Sequence, residues 1–101
     1  MSLDKIHHIA IQVDDIAQAV AWYQQNFNIN VKYEDDTWAM LEFDNIKLAL
    51  VVPYQHPYHF AVSRKDARSF GELKTHRDHT QSTHIKDPSG NVVEVMLCDN
   101  S

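Results

Sequence analysis

HHIAI at residues 7–11 returns as YHFAV at residues 58–62, an offset of 51. His8 thereby matches His59 and Ala10 matches Ala61, while Ile9, Ile11, Phe60 and Val62 remain apolar. A second match sets DNIKLA at 44–49 against SGNVVE at 89–94, an offset of 45. Two copies of one structural unit, the second about six residues shorter around its helix, account for both offsets.

Patterning assigns the elements inside each copy. Residues 5–13 read as a half-buried strand that alternates from Ile9 to Val13, with Ile9, Ile11 and Val13 on one face and His8, Ala10 and Gln12 on the other. Asp14 or Asp15 caps the helix that follows. Ile16, Ala19, Val20, Tyr23 and Phe27 form its apolar stripe, which packs on the Ile9/Ile11/Val13 face, and Asn28 is a left-handed terminator. Strands are expected over 30–34, 38–43 and 46–52, the last two joined by a turn at Asp44-Asn45. In the second copy Ser63-Arg64-Lys65-Asp66 has capping-box spacing and predicts a short helix holding Ala67, Phe70 and Leu73. Residues 75–81 are too polar to assign. Strands over 83–86 and 91–97 flank the turn Asp87-Pro88-Ser89-Gly90. Each module reads βαβββ, an α+β class, over residues 4–53 and 57–98 of a single domain.

The repeat places both matched histidines, His8 and His59, on the face turned away from the helices. On the last strand Val93, Val95 and Leu97 form the packed set, which leaves Val92, Glu94 and Met96 on that same open face. Two imidazoles and a carboxylate there suit Fe(II), Mn, Zn, Ni or Co, with coordination positions left for water or substrate. Trp38, Met40 and Glu42 share one strand face, and Lys47, Ala49 and Val51 share another. Turned inward, Trp38 and Met40 make an apolar floor and Lys47 offers a cation to an anionic group; otherwise Lys47 and Glu42 form a surface ion pair. His76 and His79 lie in the polar stretch, where nothing in the sequence fixes their geometry, and His56 receives no role.

Bulk properties restrict the setting. Of 101 residues, 44% are hydrophobic and 23% charged, as in ordinary globular chains. The net charge of −5, with nine scattered basic residues, argues against a nucleic-acid or anionic-membrane surface. Cys98, the one cysteine, forms no internal disulfide. Together with the lack of a signal-peptide pattern or an apolar run of membrane-spanning length, this suggests a cytoplasmic protein. A homodimer is the expectation for a small chain of this kind.

HHIAIQVDDIAQAVAWYQQNF resembles the opening strand and helix of the vicinal oxygen chelate superfamily, which includes glyoxalase I, extradiol dioxygenases, fosfomycin-resistance transferases and bleomycin-resistance proteins. YHFAV resembles the start of that family's second module, and HIKDPSGNVVEV its closing hairpin. The resemblance implies two βαβββ modules forming an open, cup-shaped mixed sheet around a divalent metal held by His8, His59 and Glu94. Ala49 occupies the position where glyoxalase I carries a fourth, carboxylate ligand, so a three-ligand site is implied. Ala10 replaces the hydroxyl used by the fosfomycin transferases. His84, ten residues before Glu94, stands where relatives carry an active-site tyrosine and is a candidate general acid or base. The implied activity is a dioxygenase, lyase or isomerase acting on a small molecule that chelates the metal through adjacent oxygens. The bleomycin-resistance members imply an alternative, a metal-free small-molecule binding protein.

Overall fold

The computed structural model describes residues 3–53, 57–76 and 79–98. Contacts divide the chain into two units, residues 8–58 and residues 1–7 with 59–101. The class is α+β, as the sequence implies.

In the first unit, β1 (Lys5–Gln12) contributes its residues from His8 onward and pairs in parallel with β4 (Lys47–Val51). β4 pairs antiparallel with β3 (Trp38–Glu42), and β3 with β2 (Asn30–Glu34). The helix α1 (Ile16–Asn26) makes the parallel crossover from β1. Asp15 is its cap: the carboxylate accepts from the Gln18 amide at 2.9 Å. Ile16 and Val20 from α1 meet Ala39, Leu41, Leu50 and Val52 in one buried cluster, with Ile11 and Val13 packed against it.

Two expectations fail here. The helix ends at Asn26 with Phe27 extended (φ −140°), its amide donating to the Tyr23 carbonyl, so Asn28 is not a left-handed terminator. Ile9 is 41% exposed: the helix stripe covers the Ile11 and Val13 end of the strand and stops short of it.

The β2–β3 connection is held by Asp35. Its carboxylate accepts from the Tyr33 hydroxyl, the Thr37 hydroxyl and the amides of Thr37 and Trp38. Partial burial pushes this carboxyl up, but those hydrogen bonds outweigh it and hold the pKa down at about 2. A folded-state value below the unfolded one means that Asp35 stabilises the fold in full above about pH 4. That contribution, on the order of 1–2 kcal/mol, disappears as pH falls towards 2. The stability gap between the wild type and Asp35→Asn, measured by urea unfolding, should therefore be widest above pH 4 and close towards pH 2.

In the second unit, β5 (His59–Arg64) pairs in parallel with β8 (Val92–Leu97). β8 pairs antiparallel with β7 (Gln81–Lys86), and β7 with the two-residue β6 (Lys74–Thr75). The Asp87-Pro88-Ser89-Gly90 turn forms as expected, with the Gly90 amide donating to the Asp87 carbonyl at 2.9 Å. The Asp87 carboxylate accepts from the Asn91 side chain and from the Ser89 and Asn91 amides, which holds its pKa below the usual range.

The second helix does not form. Ser63 and Arg64 belong to β5, and only one 3-10 turn, Ala67–Phe70, follows. Its cap residue Asp66 makes no side-chain capping bond; instead it binds the Arg64 guanidinium, which also reaches Asp4. The capping-box spacing thus serves an ion pair. Gly71 ends the turn at φ 155° and ψ 179°, and a Cβ there would stand 2.7 Å from Thr83 Oγ1. Gly71→Ala is expected to cost about 1–3 kcal/mol in chemical denaturation, because the backbone there is essentially glycine-only and Thr83 must also move.

Candidate metal centre

The registers fix which side chains share a face. Opposed residues on paired strands project to the same side. In the first unit one row reads His8, Lys47, Glu42, and the next reads Ala10, Ala49, Met40, Tyr33. A third reads Gln12, Val51, Trp38. His8, Lys47, Met40 and Trp38 therefore stand on one face, opposite the face that packs on α1. His8 is 4% exposed, and Ala10, Met40 and Ala49 form a buried cluster against which Tyr33 and Trp38 pack. The Tyr33 and Trp38 rings stack with centroids 4.4 Å apart. Glu42 does not serve as the expected partner of Lys47: it meets Lys32 at 3.8 Å and accepts from the Asn30 amide group.

In the second unit Ala61, Glu94 and His84 form one row, with His59, Val92 and Lys86 on one side of it and Ser63, Met96 and Ser82 on the other. The register Ala61–Glu94 repeats Ala10–Ala49 of the first unit, so Ala49 does hold the place equivalent to Glu94. His59 Nε2 lies 3.0 Å from Glu94 Oε1, both side chains being almost wholly buried. The other carboxylate oxygen, Oε2, accepts from Ser82 Oγ at 2.6 Å. His76 Nε2 is 2.6 Å from that same hydroxyl and 3.4 Å from Oε2. The His84 ring is exposed and stands edge-on to the His59 ring, centroids 5.5 Å apart.

The structure thus brings His59, Glu94 and His84 together in one unit, and groups His8, Trp38, Met40 and Lys47 on one face of the other. Sequence reasoning missed Ser82 and left His76 without a role. The strand before the Asp87 turn begins at Gln81, two residues earlier than the expected 83; extending the alternation of His84 and Lys86 back by one step reaches Ser82. His56 lies outside the described residues.

The donor set suits a divalent ion. Imidazole nitrogen and carboxylate oxygen are ligands for borderline first-row metals. Glu94 offers Oε1 on the side of His59, while Oε2 is engaged by a hydroxyl, the outer-shell support that built metal sites show.

The profile of the Glyoxalase/Bleomycin resistance protein/Dioxygenase superfamily matches residues 5–70. No curated protein matches the chain. Several solved structures share the fold over nearly the whole chain. A hypothetical protein from Bacillus halodurans C-125 has 17% identity and a TM-score of 0.74, over 99% of this chain and 98% of that one. A Streptomyces coelicolor methylmalonyl-CoA epimerase, in complex with 2-nitronate-propionyl-CoA, has 19% identity and a TM-score of 0.75, over 98% and 100%. A superfamily member from Vibrio splendidus 12B01 has 14% identity and a TM-score of 0.68, over 93% and 98%. At such identities the likeness establishes the fold alone.

Proposed function

Since the chain belongs to the Glyoxalase/Bleomycin resistance protein/Dioxygenase superfamily, we propose that it is a small metal-dependent enzyme of the dioxygenase, lyase or isomerase type. Its substrate is a small molecule that chelates a divalent ion through adjacent oxygens. His8, His59 and Glu94 would hold the ion, each offering one ligand atom. The observation that carries this reading is the buried His59–Glu94 pair, whose carboxylate has one oxygen held by Ser82 and the other turned to an imidazole. His8 joins them because it is the repeat counterpart of His59 and is itself buried.

When bound, the ion supplies Lewis acidity to oxygen atoms of the substrate. The chain's own residues do the rest. Trp38 and Met40 give the substrate an apolar floor, and Lys47, in register with His8, attracts its anionic groups. His84 stands exposed beside His59 and takes or returns a proton at the substrate. A cytoplasmic homodimer is part of the same reading. Among the described residues no helix is long and apolar enough to cross a membrane.

The alternative reading is a metal-free small-molecule binding protein, in which the His59–Glu94 contact at 3.0 Å is a structural pair. Metal analysis of protein purified without a histidine tag separates the two. One divalent ion per chain is expected; metal-free protein that still binds small molecules would favour the binder.

A further inference from the structure

We propose that Ser82 and His76 are positioning residues that hold Glu94 as a one-oxygen ligand; the inference rests on the metal reading above. Ser82 is 1% exposed, and its hydroxyl has a single proton to give. That proton goes to Glu94 Oε2 at 2.6 Å. The Ser82 hydroxyl oxygen in turn accepts from His76, whose Nε2 lies 2.6 Å from it and must carry hydrogen to donate. The His76 backbone is fixed in turn, its amide donating to the Thr80 carbonyl at 2.7 Å. A relay therefore runs from a partly exposed imidazole through a buried hydroxyl to one carboxylate oxygen.

The register explains how Ser82 reaches that oxygen. Glu94 stands directly opposite His84, and Ser82 lies two residues along the same strand face, at the diagonal position. Occupied from that side, Oε2 is withheld from an ion next to Oε1 and His59. Glu94 then contributes one coordination position, which keeps others free for a two-oxygen substrate. Without the hydroxyl, Oε2 is released to chelate, and the open positions fall by one.

Cobalt(II) titration of metal-stripped, untagged protein tests this, read by affinity and by the visible absorption of the bound cobalt. Ser82→Ala is expected to weaken cobalt binding about 10–100-fold, as loss of an outer-shell partner typically does. It should also lower the absorption intensity, because a second carboxylate oxygen raises the coordination number. Ser82→Thr, which restores the hydroxyl, should recover both signals. His76→Gln keeps a donor and should stay near the wild type, while His76→Leu should move towards Ser82→Ala. The His76 variants alter a partly exposed residue, so they decide the matter should Ser82→Ala fail to fold. Cobalt affinity and spectrum unchanged in Ser82→Ala and His76→Leu would overturn the inference and leave the metal reading intact. Wild-type protein that takes up no cobalt would bring down both.

Discussion

Glu94→Ala should leave a protein that no longer retains a stoichiometric divalent ion and has no metal-dependent turnover. The expected loss exceeds the roughly 10–100-fold that removal of an outer-shell group costs, because a ligand itself is gone. Two further consequences follow from the geometry. The substitution deprives the buried His59 ring of its partner at 3.0 Å and the Ser82 hydroxyl of its acceptor at 2.6 Å. Loss of these two buried hydrogen bonds costs about 1–3 kcal/mol, so the variant should also melt at a lower temperature. Glu94→Gln separates the two effects. The amide oxygen still accepts from Ser82 or His59, so most of the stability should return, while the weaker donor and lost charge keep metal retention low. Elemental analysis and thermal unfolding of the two variants side by side check both halves.

Leu50→Ala should be strongly damaging to the fold. Leu50 is fully buried on β4, opposite Ala39 and in one cluster with Ile16 and Val20 of α1. The lost transfer energy and the cavity together cost about 2–5 kcal/mol. Domains of this size have only about 5–15 kcal/mol in total. Each kcal/mol shifts the midpoint by about 4–8 °C, so a fall of ten degrees or more is expected in a thermal melt. Ile9→Ala, at a residue 41% exposed on β1, should cost much less and serves as the control.

The repeat was legible because pairing register is read directly from alternation. The offsets of 51 and 45 align Ala10–Ala49 with Ala61–Glu94, and the strands pair in that register. The α1 cap and the Asp87 turn were legible for a local reason: each is set by one side chain bonding to nearby amides. What misled was local chemistry with two outlets. Asp66 can cap a helix or pair with arginine, and beside Arg64 it pairs. Asn28 can adopt a left-handed conformation, but the chain turned extended one residue earlier, at Phe27.

The candidate site was legible in its donors and illegible in their support. Histidine and glutamate announce ligand chemistry, and alternation assigns them a face. Ser82 is one serine among polar neighbours, and only the register of β7 against β8 brings it to Glu94. His76 depends on a two-residue strand that no periodicity could disclose. The pairing of Glu42 with Lys32 rather than Lys47 has the same cause, since side chains on adjacent strands have several partners within reach.

Anomalous diffraction from zinc-loaded crystals, recorded at the zinc edge, addresses the account at its centre. One zinc per chain is predicted, with ring nitrogens of His8 and His59 at about 2.0–2.1 Å and a single oxygen of Glu94 at about 2.0–2.2 Å as its protein ligands. A zinc held by other side chains, or no anomalous peak beside Glu94 in fully loaded crystals, would contradict it.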